Sequence, residues 1–452
     1  MRGNHANLGD LKARCASLGI DIGFSENARG FQAKKRMGNR PLQNSLAILP
    51  MEGCDAESDG SPSALTMRRY QRFAGSGAAL LWFEATAVSE DGKASPRQLL
   101  LRPGNVAGYK ALTEAVKQKY ADCFGFAPIL ILQLTHSGRY AKPHGAAAPV
   151  MAVKNPVLDQ RPQVSAGISP VSDERLLRLE GEYVTAALRA REAGFDGVDI
   201  KACHGYLLSE LLAAHTREGA YGGDFEGRTR LLRNIVEKTA AQLGPDFLVT
   251  TRLSMWDAVP YPYGFGADPA SGLPDLREPA GLLRILGAMG LSAAATTVGN
   301  PYYNPHFCRP FDTGAYAPPE DPLQGVSRAI GLTGRLKRQV PGVLFVGGGY
   351  TYLGKFAANA GAYALEHGMV DMVGFGRQAI ADPNLLNDFL NGEPIDDRRL
   401  CITCSKCTEI MRSGGTTGCV IRDGQVYRGI YTGTVSGPGK SGPEPVSHCG
   451  GK

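Results

Sequence analysis

The sequence predicts an α/β fold, a (β/α)8 TIM barrel with a C-terminal cysteine-rich extension. Three observations carry that prediction. Eight short apolar runs recur along roughly 350 residues, most are followed by an amphipathic helical stretch, and several end in glycine or polar clusters. Parallel strands buried on both faces read as continuous apolar runs, and alternation with helices favours a closed barrel over separate sheets. No Gly-x-Gly-x-x-Gly opens a helix after a strand, which argues against a dinucleotide-binding open sheet.

In chain order, residues 1–40 are basic and irregular (Ala33-Lys-Lys-Arg36) and are expected to wrap the outside of the domain. The barrel is expected over residues 41–395. Its candidate strands are Leu46–Pro50, Ala79–Thr86, Ile129–Leu134, Val198–Lys201, Leu248–Leu253, Ala293–Val298, Val343–Val346 and Met372–Phe375. Between them, helical periodicity falls on Thr66–Ala74, Glu174–Ala193, Arg228–Leu243, Ala280–Met289, Gly354–Glu366 and Pro383–Asn391. Asp173 reads as the N-cap of the long second helix, and Gly194 ends it. Long insertions at Thr135–Val171, Met255–Asp275 and Asn300–Gln324 are rich in Gly, Pro, Tyr and His. Loops leaving the C-terminal ends of barrel strands surround the site, so these are expected to shape the substrate pocket. A cysteine-rich segment follows at 396–425. Residues 426–452, ending in a Gly, Ser and Pro-rich stretch, read as a flexible tail.

Composition narrows the function. The 452 residues carry 49 basic and 43 acidic side chains, a net charge of +6 that is mild for this length. No basic run alternates with aromatics, so no nucleic-acid partner is expected. No apolar run approaches a membrane span and the N-terminus lacks a signal-peptide core, so a cytoplasmic location away from membranes is expected. Six of the ten cysteines, Cys449 among them, are scattered; Cys401, Cys404, Cys407 and Cys419 cluster. Clustering points to metal or redox use rather than a disulfide framework.

Two sets of residues carry chemistry. Lys201, His204 and Tyr206 fall at and just past the end of the fourth strand, where a barrel assembles its active site. At the last two strand ends, Val346-Gly-Gly-Gly349 and Gly374-Phe-Gly-Arg377 offer backbone N–H groups and a guanidinium to a phosphate. Cys401, Cys404, Cys407 and Cys419 could ligate a [4Fe–4S] cluster or a tetrahedral zinc ion, or remain reduced and unliganded.

Taken with Ser45–Gly53, Glu84–Val88, Leu132-Gln-Leu-Thr-His-Ser-Gly-Arg139 and Gly194–Leu211, these motifs resemble the old yellow enzyme family of FMN-dependent oxidoreductases. The match runs in order over roughly residues 40–395. The cysteine segment resembles the iron–sulfur subgroup typified by bacterial 2,4-dienoyl-CoA reductase and bile-acid-inducible flavin oxidoreductases.

The resemblance implies FMN over the barrel mouth, reduced by NAD(P)H, and an unsaturated small-molecule substrate. It implies that Pro50, Met51 and Ala85 line the flavin and that Gln133 hydrogen-bonds its pyrimidine edge. Arg252 would face N1 and C2=O, and Gly348, Gly349, Gly376 and Arg377 would hold the phosphate. Tyr206 matches the family proton donor, and His204 matches one of two carbonyl-binding residues. Lys201 stands where the other is usually His. Glu52, where relatives carry a small residue near flavin C4=O, is expected to turn away into a structural ion pair. Tyr302, Tyr303 and His306 form a candidate substrate loop.

The spacing between Cys404 and Cys407 is one residue shorter than in the dienoyl-CoA reductases. The chain also ends without the further domains of those enzymes, so a cluster here would need an external electron donor. A homo-oligomer is the default assembly. The reaction expected is reduction of an activated C=C bond. The alternatives are amine demethylation or dehydrogenation, or electron transfer to a separate partner.

Overall fold

A computed structural model describes residues 5–160, 168–312, 314 and 316–435. Eight parallel strands close into a barrel: β1 (Leu46–Ile48), β2 (Leu80–Ala87), β3 (Ile129–Thr135), β4 (Gly197–Ile200), β5 (Leu248–Ser254), β6 (Leu291–Thr297), β7 (Leu344–Gly347) and β8 (Met372–Phe375). Closure is made by β8 against β1, with Val373 opposite Leu46 and Phe375 opposite Ile48. All eight predicted strands are present, in order.

Apolar side chains fill the barrel interior, among them Trp82, Ile131, Leu248, Leu344 and Met372. Gly197 is required where strands pack closely, because a Cβ there would lie 2.4 Å from the Leu248 carbonyl oxygen. An antiparallel hairpin, Lys35–Met37 with Arg40–Leu42, buries Met37 and Leu42 in this same interior cluster. It packs with residues that begin the strands, Leu80, Ile129 and Leu248, so it plugs the N-terminal end of the barrel. The C-terminal end is left for the site.

The N-terminal segment is more regular than expected. Leu8–Ser17 is helical, started by the Asn7 side chain, which accepts the Asp10 N–H at 2.9 Å. The long helix is Asp173–Glu192, and its N-cap is Ser172 rather than Asp173. The Ser172 hydroxyl accepts the Arg175 N–H, and Asp173 falls in the first turn, where a carboxylate favours the helix dipole. The insertion expected to reach Gln324 gives way to a helix at Pro322, capped reciprocally by Asp321 and Gln324. After the barrel, Lys406–Arg412 and Gly424–Val435 are helical. The segment expected to be a flexible tail from residue 426 is therefore helix through Val435, with Tyr427 buried. Arg68 and Arg72 both pair with Asp423 and tie this helix's start to the barrel. The remainder of that tail, residues 436–452 with Cys449, lies outside the described residues. No described helix is long and apolar enough to cross a membrane.

Candidate active site

The turn after β1 forms one wall of a pocket at the C-terminal end of the barrel. Leu49, Pro50, Met51 and Glu52 line it, together with Gln133 from β3, Lys201, His204 and Tyr206 after β4, Arg252 from β5, and the glycines after β7 and β8. A buried charge triad holds the turn in place. Arg69 pairs with Asp55 and Glu84, the three being 4%, 0% and 1% exposed, and Glu84 accepts the Gly53 N–H at 2.6 Å. A Cβ at Gly53 would collide with the Arg69 guanidinium, so glycine permits the close approach.

Lys201, His204 and Tyr206 arrive as expected. The chain leaves β4, turns through His204 (φ +67°) and Gly205 (φ +70°), and starts the helix Leu207–Leu212. Lys201 Nζ lies 3.1 Å from Glu52 Oε1 and 3.7 Å from the centre of the Tyr206 ring. The Tyr206 hydroxyl donates to the same Glu52 oxygen at 3.0 Å and lies 3.1 Å from the Tyr302 hydroxyl. Burial, then the Glu52 charge, holds the Tyr206 phenol well above its usual range, so it stays protonated at neutral pH. Burial and the charges of Arg252 and Lys201 hold His204 well below the usual imidazole range, leaving a neutral ring.

Glu52 departs from its expected placement. It does form an ion pair, but inside the pocket and with Lys201. The physical reason is local. Lys201 is only 3% exposed, and a buried ammonium needs a counter-charge.

Of the three loop candidates, Tyr302 reaches the pocket. It stacks on Tyr140 with ring centres 3.7 Å apart, and its N–H is fixed by the Asn300 side chain. Tyr303 and His306 are not among the pocket walls. His306 is buried against Phe307, with Nδ1 2.7 Å from the Tyr316 hydroxyl. Ala85 is buried too, but behind the wall, its carbonyl accepting from Gln98. Sequence reasoning missed Tyr140, although it directly follows the Leu132–Arg139 motif. It also missed Arg69 and Asp55, which act through the turn rather than on the pocket.

Glycines after β7 and β8 and the guanidiniums of Arg252 and Arg377 border the same pocket. A Cβ at Gly348 would lie 2.9 Å from Leu49, and one at Gly376 would lie 2.9 Å from the Met51 sulfur. Gly349 adopts φ +104°, which a side chain would strain. All three glycines line the pocket. Arg377 donates through Nη2 to the Pro310 carbonyl, while its buried Nη1 has no partner; nor has Arg252 Nε. Gln133 donates to Asp199, whose carboxyl is pushed up to about 6 by burial. Unpaired buried donors beside these glycines fit a phosphate-bearing cofactor such as FMN.

The cysteine segment packs against this pocket. Thr417 N–H donates to the Gly53 carbonyl at 2.7 Å, and Cys407, Thr408, Met411 and Arg412 form part of the pocket wall. Cys401, Cys404, Cys407 and Cys419 all border one small adjoining cavity, which Arg377 and Cys407 share with the main pocket. Thr403 and Ser405, on either side of Cys404, both adopt left-handed backbone (φ +49° and +61°). Two sulfurs accept backbone N–H groups, Cys401 from Thr403 and Cys419 from Arg422. Burial pushes the Cys401 thiol up to about 12 and raises Cys407. Among the described residues, no three His, Cys, Asp or Glu side chains close to the spacing of a single metal ion. The four cysteines are nonetheless gathered at the border of one cavity.

Residues 35–266 match the NADH:flavin oxidoreductase / NADH oxidase family, just over half of the chain. The chain belongs to that family. A metal reductase of Desulforamulus reducens is 24% identical over 376 residues, 82% of this chain and 50% of that protein. The flavin oxidoreductase hxnT of Emericella nidulans is 28% identical over 373 residues, 77% of this chain and 87% of that protein. A solved 2-naphthoyl-CoA reductase complex superposes with a TM-score of 0.72 at 19% identity, covering 87% of this chain and 57% of that one, and shows the same fold. The chain thus spans about half the length of some relatives and most of others.

Proposed function

We propose that the protein is an FMN-dependent ene-reductase that uses NAD(P)H to reduce an activated C=C bond. The observation that carries this reading is the hydrogen-bonded set Glu52, Lys201, Tyr206 and Tyr302, in the pocket whose glycines and Arg377 suit a phosphate. When bound, FMN would take hydride from NAD(P)H and pass it to the substrate β-carbon. Pro50, Met51, Gln133, Arg252, Gly348, Gly349, Gly376 and Arg377 are the residues that would hold it.

The chain's own residues manage charge and protons. His204 makes no side-chain hydrogen bond to a described residue, so a ring N–H is available to a substrate carbonyl. Lys201 adds a fixed cation as negative charge develops on that oxygen. Tyr206 supplies the proton to the α-carbon. A weak phenol suffices, because the carbanion it quenches is far more basic. Lys201 over the ring face then stabilises the resulting phenolate, and Tyr302 donates a hydrogen bond to it. We further propose that Cys401, Cys404, Cys407 and Cys419 hold a [4Fe–4S] cluster in their shared cavity, supported by the N–H groups aimed at two sulfurs.

The test is the purified protein's absorption spectrum with iron, sulfide and zinc analysis, followed by NAD(P)H consumption with cyclohex-2-enone. A flavin chromophore and enone-dependent NAD(P)H consumption support the reading. A colourless protein that FMN cannot reconstitute contradicts it. Replacing Arg377 with Ala should weaken FMN binding about 10- to 100-fold, the worth of a hydrogen bond to a charged group, as measured by titrating the apoprotein. An unchanged FMN affinity would move the phosphate elsewhere.

A further inference from the structure

The pocket carries more positive charge than the proposed flavin uses. Among the described residues, five cations border it, Lys201, Arg252, Arg309, Arg377 and Arg412, against a single carboxylate, Glu52. Glu52 is engaged by Lys201. Arg252 and Arg377 belong to the part that suits FMN. Arg309 and Arg412 remain.

Among the described residues, both are anchored by neutral groups. Arg309 Nη1 donates to the Thr408 hydroxyl at 2.7 Å, and Arg412 Nη2 donates to the Pro301 carbonyl at 2.6 Å. Neither forms an ion pair with a described carboxylate. Arg309, Arg377 and Arg412 all border the same pocket, so their charges face one space. Gathering like charges is costly unless anions offset them. It becomes favourable when an anion enters, and guanidinium pairs suit carboxylate and phosphate oxygens. Arg412 is bonded to the residue before Tyr302, so this charge lies beside the substrate wall.

We infer that Arg309 and Arg412 form an anion subsite beside the substrate wall, which takes a carboxylate or phosphate borne by the substrate or by the nicotinamide dinucleotide. This rests on the ene-reductase reading and names the class of ligand the site prefers.

The test uses FMN-loaded full-length protein, with flavin absorbance reporting loading. The enone 3-oxocyclohex-1-ene-1-carboxylate is compared with its uncharged methyl ester, and NADH with 1-benzyl-1,4-dihydronicotinamide, which lacks phosphate. Binding is read from the shift of the flavin spectrum and turnover from KM. In Arg412→Ala, and independently in Arg309→Gln, the preference for the charged member of one pair should fall about tenfold. Loss in the enone pair assigns the anion to the substrate, and loss in the reductant pair assigns it to the dinucleotide. Arg412 is exposed, so its variant keeps the test valid if Arg309→Gln fails to fold. Unchanged preference in both pairs, or equal weakening of charged and neutral members, overturns the subsite. A flavin-loaded protein that reduces neither enone sinks the ene-reductase reading instead, while the spectral titration still reports the subsite.

Discussion

Replacing Tyr206 with Phe should slow enone reduction by about 10²- to 10⁴-fold, the usual worth of a positioned general acid. The flavin should still be reduced by NAD(P)H, because that step needs no proton from the phenol. The geometry makes the separation clean. Among the described residues, the hydroxyl hydrogen-bonds to Glu52 and Tyr302, whereas the ring's packing on Lys201 and near Tyr140 is kept by Phe. Rapid-mixing absorbance of the flavin separates the two half-reactions. If the variant's oxidative half-reaction runs at the wild-type rate, Tyr206 is not the acid, and Tyr302, with its hydroxyl 3.1 Å away, becomes the next candidate.

Arg69→Leu should destabilise the protein by about 3–5 kcal/mol, the range for breaking a buried ion pair on one side. The variant would leave Asp55 and Glu84 without their cation, both of them essentially sealed from water. Glu84 would then be driven further towards its neutral form; burial already pushes it to about 7. The loss should reach the pocket, because Glu84 holds the Gly53 N–H and so the Pro50–Glu52 turn. Denaturant unfolding gives the stability, and retention of flavin on a desalting column gives the effect on the turn. A loss below about 1 kcal/mol would show that the triad is not what fixes the turn.

Much of this was legible because it is written in short-range patterns. The eight strands are apolar runs, and the barrel follows from their alternation with helices. Lys201, His204 and Tyr206 were legible because six residues of chain carry all three to one strand end. What the sequence concealed is long-range. Glu52 and Lys201 are 149 residues apart, so nothing local says that they meet. Tyr302, Tyr303 and His306 share one aromatic loop, and only its folded path through Asn300 sends Tyr302 to the pocket and His306 to Tyr316. Arg309 and Arg412 drew no attention because each is an isolated arginine until the cysteine segment folds back on the barrel mouth. The N-terminal helix was missed for a different reason. Its charged, weakly amphipathic sequence becomes helical with Leu11 and Cys15 buried and Asn7 as a cap, a signal easily lost among basic residues.

The central claim, hydride delivery to one alkene carbon with Tyr206 protonating the other, is tested most directly by isotope placement. NADH-reduced protein is mixed anaerobically with one equivalent of cyclohex-2-enone in D2O, flavin absorbance is followed, and the product is examined by NMR. The account predicts return of oxidised flavin together with cyclohexanone carrying solvent deuterium at the α-carbon. Flavin that stays reduced while the enone is recovered intact would contradict it.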